Sequence, residues 1–342
     1  MTEKILLIGK RLGELKELFE ESNLPSYRGE QVFDWIYKRE NFGFSEMTNL
    51  SLELRNKLEE KYSVDPLKVV KKQRSSDGSE KFLLELKDGE TIETVFLPAA
   101  KNRNTLCVSS QVGCSFDCNF CATGQQGLTR DLTAGEIINQ ILTVQIEKKV
   151  KITNVVFMGM GEPLANYQAV VKAVKIINHD RGLNVSCRKI VVSTCGLADK
   201  IKKLARKGLP VTLAVSLHAA KNRLRNMLVP VNKRYPLEVL MEAADYYSEK
   251  TGRRVSYEYA LIKGVNDSKT QARELADLLA GRLAHVNIIR INPTDKPGFE
   301  RPDEEIITMF ENELQKKGIE VSVRQPRGAD ITAACGQLKT ES

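Results

Sequence analysis

Residues 107–121 read Cys-Val-Ser-Ser-Gln-Val-Gly-Cys-Ser-Phe-Asp-Cys-Asn-Phe-Cys. Inside this stretch Cys114, Cys118 and Cys121 form a C-x3-C-x2-C triplet. The triplet follows a β-like run, Thr105 to Ser110, and sits in a loop that contains Gly113. A compact loop of this kind can turn three thiolates toward one point. A structural zinc takes four closed ligands, and iron–sulfur clusters are held by cysteine thiolates, usually four. Three thiolates on a four-iron cluster leave one iron open for a small molecule. The plainer readings are a zinc site that borrows a histidine, or thiols with no ligand.

The spacing resembles that of the radical S-adenosylmethionine (SAM) superfamily. The resemblance implies a [4Fe-4S] cluster held by Cys114, Cys118 and Cys121, with SAM chelating the open iron. One electron would then cleave SAM to a 5′-deoxyadenosyl radical.

Outward from the triplet, strand and helix alternate. Strand-like runs are Leu106–Ser110, Asn154–Met158, Lys189–Ser193, Thr212–Leu217, Val255–Leu261, His285–Ile291 and Glu320–Arg324. Helical patterns lie between them, the first introduced by Thr133 with Glu136 three residues on, a capping box. This alternation predicts βαβ units and a parallel sheet. Right-handed crossovers would curl six such units into a partial or complete barrel. The expected class is α/β: a partial (β/α)6 radical SAM barrel over residues 104–342, ending in a cysteine-bearing segment.

Sites in such barrels lie at the carboxyl ends of the strands. There stand the triplet, Gly159-Met160-Gly161-Glu162-Pro163, Ser193 with Thr194 and Cys195, Ser216-Leu217-His218, and Asn292-Pro293-Thr294. Gly159 and Gly161 would let backbone approach the SAM amine, with Glu162 near the ribose or amine. Ser193, Ser216 and Asn292 offer neutral donors and acceptors for carboxylate and ribose. Singly these are weak signals, and His218 alone reads as a locally satisfied histidine.

Residues 1–66 read as a helical accessory domain, with helices near Leu12–Glu21, Gly29–Arg39 and Leu52–Tyr62 and Trp35 in its core. Residues 67–103 read as a linking β-hairpin, Lys81–Leu86 and Thr91–Leu97 around Asp88-Gly89. Glu93 in its second strand reads as an outward, solvated side chain.

The net charge of +8 favours a polyanion such as RNA as partner. Lys68–Arg74, Lys200–Lys207 and Arg223–Arg234 are the candidate phosphate contacts, read as charge runs on loops and helices. Seven cysteines, three of them clustered, point to metal or catalysis rather than a disulfide scaffold in a chain of 342 residues. No apolar run approaches membrane-spanning length, and the apolar run at the N-terminus is too short for a signal peptide. The expectation is a cytoplasmic monomer without a membrane partner.

Several motifs together resemble the RlmN/Cfr radical SAM methyltransferases. They are Gln111-Val112-Gly113-Cys114, Phe120-Cys121-Ala122-Thr123-Gly124-Gln125-Gln126-Gly127, Met158-Gly159-Met160-Gly161-Glu162-Pro163-Leu164, Ser216-Leu217-His218-Ala219 and Ala334-Cys335-Gly336-Gln337-Leu338. The match runs from about residue 20 to residue 338. Pro163 and Gln125-Gln126 resemble the RlmN branch, which modifies C2 of an adenosine in the peptidyl-transferase region of 23S rRNA and, in many members, the adenosine beside the tRNA anticodon. The Cfr branch modifies C8 instead.

The resemblance also assigns roles. One SAM would methylate Cys335, and the radical from a second SAM would take a hydrogen from that methyl group. The methylene radical would add to the adenine ring carbon. Glu93 matches the family's proton acceptor, and Cys107 would attack the sulfur of Cys335, forming a transient disulfide that frees the RNA. An electron donor such as a flavodoxin-type reductant is implied. The rival readings are a Cfr-type C8 methylase, a glycyl-radical activase that would not need the Cys107/Cys335 pair, and a metal-stabilised RNA-binding module. Cys187 and Cys195 read as inert core thiols.

Overall fold

A computed structural model describes residues 4–292 and 298–339. The first unit packs helices α1 (Leu12–Glu21), α2 (Ser26–Tyr37) and α3 (Leu52–Lys61), tied by a two-stranded parallel ribbon of β1 (Ile5–Leu6) and β2 (Tyr62–Ser63). Ser51 caps α3 by accepting from Leu54 N at 3.3 Å. Leu15 and Phe19 of α1 face Val32, Phe33 and Ile36 of α2, all buried. Trp35 is buried, as its position in the apolar stripe predicted, and donates to Asn49 Oδ1 at 2.6 Å. Arg181 bridges to Glu30 (2.8 Å) and Asp34 (3.0 Å), fastening this unit to the barrel.

The predicted hairpin is a three-stranded meander: β3 (Lys68–Arg74), β4 (Glu80–Glu85) and β5 (Thr91–Ala99). The basic run 68–74 is therefore an edge strand, not a loop or helix. Lysines along an exposed edge discourage pairing with another chain, so charge here hid a strand from the periodicity reading.

β5 pairs antiparallel with β6 (Arg103–Cys107), and β6 begins the barrel. Six further parallel strands follow: β9 (Asn154–Phe157), β10 (Ile190–Thr194), β11 (Thr212–Ser216), β12 (Val255–Leu261), β13 (Ala284–Arg290) and β14 (Glu320–Arg324). Between β6 and β9 the chain forms a small antiparallel ribbon, β7 (Gln111–Gly113) with β8 (Leu128–Asp131), around the short helix α4 (Ala122–Gln125). The helices α5 (Ala134–Lys148), α6 (Tyr167–Asn178), α7 (Ala198–Ala205), α9 (Leu237–Thr251), α10 (Lys269–Leu279) and α11 (Glu304–Lys316) make the crossovers. A further helix, α8 (Asn222–Leu228), is inserted after β11. The capping box of α5 is present: Glu136 N donates to Thr133 Oγ1 at 3.1 Å, and Thr133 N to Glu136 Oε2 at 2.7 Å. Six β/α units plus a seventh strand make the expected partial barrel.

The ten-stranded sheet ends in β14 on one side and β3 on the other. The segment after β14 spans the gap. Gly328 N and Arg327 Nε reach Asp77 Oδ2 at 2.9 and 3.1 Å, and Ser75 Oγ and Ser76 N donate to Asp330 at 2.6 and 3.0 Å. This strap carries Cys335 back toward the strand ends.

Candidate active site

The carboxyl ends of the barrel strands enclose a cavity of about 160 Å³. Cys114, Cys118 and Cys121 form one wall. Gly161 and Glu162 after β9, Ser193 of β10, Ser216 of β11, His218 beyond it, and Asn292 after β13 form the rest, with Cys335 at the rim. Pro293 and Thr294, also singled out in the sequence, lie outside the described residues. Leu217 does not line the cavity. It is fully buried, and its carbonyl is engaged elsewhere.

Burial pushes the Cys114 thiol up to about 12 and that of Cys118 still higher. Without a metal these thiols stay protonated; iron would displace the protons. The three share a cavity, yet among the described residues no three His, Cys, Asp or Glu side chains converge on one ion position. In a cluster each thiolate binds its own iron, so three thiols along one cavity wall fit it without meeting at one point.

The loop that holds the thiols depends on Gly113. Its φ is +75°, and a Cβ there would lie 1.9 Å from Gly127 O across the β7–β8 ribbon. Gly161 has φ +95°, and its Cβ would lie 2.5 Å from Gln111 Cβ. Gly161→Ala is expected to cost roughly 1–2 kcal/mol in backbone strain alone and to displace the cavity wall. Calorimetric titration of the iron-loaded protein with SAM should show binding weakened about tenfold or more. Unchanged binding would mean that the backbone at Gly161 does not approach the ligand.

Glu162 is buried, with Oε1 accepting from Leu164 N (2.9 Å) and Oε2 from Cys195 N (2.7 Å). Burial pushes its carboxyl up, against these hydrogen bonds. Its first duty is therefore to fix the end of β10 to the turn after β9. His218 has φ +58° and is buried. Its Nδ1 accepts from Ala260 N at 3.0 Å, which assigns the ring proton of the neutral form to Nε2. Burial, and then the charge of Arg225, push its pKa down to about 3. It stays neutral across the physiological range, packed edge-on against Phe120.

A second cavity, about 560 Å³, lies along the barrel interior beneath the strap. Cys107 lines it together with Met158, Asn287, Arg324, Asn292 and Cys335. Cys335 and Asn292 line both cavities. The strap is held there by main-chain bonds: Asn292 Nδ2 to Cys335 O (3.4 Å), Ala122 N to Gly336 O (2.8 Å) and Thr123 Oγ1 to Leu338 O (2.5 Å). Burial first, and then the neighbouring charge of Cys335, push the Cys107 thiol up.

Glu93 lines neither cavity. It is 1% exposed, paired with Lys81 Nζ at 2.7 Å, and its Oε2 accepts from Lys339 N at 3.0 Å. The expectation of an outward, solvated carboxylate is corrected: the meander packs under the strap, so both faces of β5 are covered. Glu93 thus holds the strap four residues beyond Cys335.

For three other residues the sequence gave no sign of the contacts they make. Gln111 supports Glu162, its Oε1 accepting from Glu162 N at 2.9 Å. Cys195 is buried like Cys187, but it also lines the first cavity. Arg225, counted within a basic run, is fully buried and cannot meet a phosphate. Only spatial neighbours identify such residues; a pattern along the chain does not.

The Radical SAM superfamily profile matches residues 108–276, and that of the ribosomal RNA large subunit methyltransferase N-terminal domain matches residues 5–64. A protein of Dictyoglomus turgidum named "Probable dual-specificity RNA methyltransferase RlmN" is 48% identical over 337 residues, covering 97% of this chain and 96% of its own. One of the same name from Alkaliphilus oremlandii is 47% identical, covering 98% of each. The crystal structure of a radical SAM methyltransferase from Sphaerobacter thermophilus superposes with a TM-score of 0.94 at 46% identity, covering 98% of this chain and 100% of that one.

Proposed function

Because this chain belongs to the RlmN family of radical SAM RNA methyltransferases, we propose that it methylates C2 of an adenosine in the peptidyl-transferase region of 23S rRNA and the adenosine 3′ of the tRNA anticodon. The radical SAM superfamily uses a [4Fe-4S] cluster and SAM, and the thiol wall and neutral polar rim of the first cavity fit them. When bound, they supply a methyl donor and a one-electron route to a carbon radical; two SAM molecules serve each turnover.

The observation that carries the reading is the position of Cys335. It lines the cavity walled by the three thiols and also the cavity that holds Cys107. A side chain that accepts a methyl group at one site and is resolved by a second thiol must face both. Cys335 accepts the methyl group; that methyl would give up a hydrogen atom to the radical that bound SAM supplies, its methylene radical bonds to the ring carbon, and the adduct gives up one electron. Glu93 takes the ring proton once the strap shifts enough to release its contact with Lys339. Cys107 attacks the Cys335 sulfur as a thiolate, the bond from that sulfur to the product carbon breaks with its electron pair going to that carbon, which takes a proton to complete the new methyl group, and an external reductant restores both thiols.

Nucleoside mass spectrometry tests the substrate. The anaerobically reconstituted protein, given SAM, reductant and unmodified 23S rRNA and tRNA, is expected to yield 2-methyladenosine from both. An 8-methyladenosine product would move it to the Cfr branch. Neither product, with SAM cleavage intact, would overturn the substrate assignment.

A further inference from the structure

Arg225 is the largest fully buried side chain in the protein. Its guanidinium meets four neutral acceptors: Leu217 O (3.1 Å), Asn232 Oδ1 (2.8 Å), Cys195 O (2.6 Å) and Ser216 O (3.0 Å). Among the described residues no carboxylate forms an ion pair with it. The buried carboxylate Glu162 is held instead by the backbone of Leu164 and Cys195. Buried charges are normally paired or bound to metals; here the guanidinium's hydrogen bonds are met by neutral acceptors while its charge has no ion-pair partner among the described residues.

Its surroundings show where a counter-charge belongs. Two of the carbonyls it binds, those of Cys195 just past β10 and Ser216 at the end of β11, belong to residues that line the first cavity. Its helix, α8, also touches the thiol loop between two candidate cluster ligands, since Leu228 O accepts from Asn119 N at 3.2 Å. Burial lowers Arg225 only to about 10, so it remains a cation at neutral pH.

We propose that Arg225 is the fixed counter-charge of the iron–sulfur cluster, a positioning residue that favours the reduced cluster while clamping the thiol loop to the strand ends. This rests on the reading of Cys114, Cys118 and Cys121 as cluster ligands. A four-iron core held by three thiolates is anionic and gains a further negative charge on reduction. A buried cation behind the wall that carries the cluster therefore stabilises the reduced form more than the oxidised one, and net charge and burial are among the levers that set such potentials. Two of the peptide carbonyls bound by the guanidinium, of Cys195 and Ser216, belong to residues of the first cavity's wall. Its loss is therefore expected to be felt as both a lower potential and a looser loop.

The test is a mediated redox titration with dithionite of reconstituted wild type, Arg225→Lys, Arg225→Gln and Asn232→Asp, followed by electron paramagnetic resonance, with iron and sulfide assayed for each. Arg225→Gln removes the charge, and its reduction equilibrium is expected to fall at least tenfold, about 59 mV for one electron. Arg225→Lys keeps the charge and is expected to stay near wild type. Asn232→Asp leaves Arg225 in place but gives it a carboxylate partner, and is expected to lower the potential in the same direction. If Arg225→Gln does not fold, Asn232→Asp decides. Wild-type potentials in loaded Arg225→Gln or Asn232→Asp, or an equal fall in Arg225→Lys and Arg225→Gln, overturn the proposal. A wild-type protein that takes up no iron would instead overturn the cluster reading.

Discussion

Replacement of Cys335 by alanine is expected to abolish RNA methylation, by at least about a thousandfold, or some 4 kcal/mol of barrier. Iron loading and reductive cleavage of SAM should persist. The separation follows from how the strap is held. The bonds that dock it on the cavity rim run to the carbonyls of Cys335, Gly336 and Leu338, not to the thiol. Alanine keeps all of them and removes only the thiol, the proposed methyl acceptor. No other thiol can substitute, because Cys195 and the triplet line only the first cavity, and Cys107 only the second. The measurement pairs methylated nucleoside with 5′-deoxyadenosine produced by the same sample. Normal methylation by the variant would sink the mechanism; loss of both products would show that residue 335 is needed for SAM binding rather than for methyl transfer.

The barrel was legible because its strands are apolar runs separated by helices with clear signals, such as the Thr133–Glu136 box. The site's outline was legible because barrel sites collect at strand ends, where glycine, serine and cysteine stood out. What could not be read depends on neighbours distant in sequence. β3 carries charge because it is an edge, and that charge masked it as a strand. Glu93 is buried only because a strap some 240 residues later lies over it, joined by Lys339. Arg225 sits in a basic run and is interior only because two strand ends present carbonyls to it. Gly113 was visible as a loop glycine, but the need for it comes from Gly127 across a ribbon that the sequence did not announce.

Cys107→Ala is expected to act at the opposite end of the cycle. It should still form the bond between Cys335 and the adenine ring and then stop, leaving RNA covalently attached to protein. Denaturing electrophoresis should show a slow band that collapses on nuclease treatment, while free methylated RNA falls by about a hundredfold or more, roughly 3 kcal/mol. The fold should tolerate the change. Cys107 is a small core side chain whose carbonyl, not its sulfur, accepts from Thr94 Oγ1 at 2.6 Å, so the cost should stay near 1–2 kcal/mol. The double variant Cys107→Ala/Cys335→Ala should show no band, because the adduct needs the second thiol. The electrostatics of the pair give the pH dependence its sign. Burial is the larger reason that the Cys107 thiol is held up, and charge on Cys335 the smaller. In the adduct the Cys335 sulfur is bonded to carbon and carries no thiolate charge, so the second penalty is lifted while the first remains. The attacking thiolate therefore stays scarce at neutrality, and release of RNA by the wild type should quicken as pH rises from roughly 7 to 9, below the raised pKa. Single-turnover release measured across that range would show it; a flat profile, with adduct formation also flat, would mean that deprotonation of Cys107 does not limit the step.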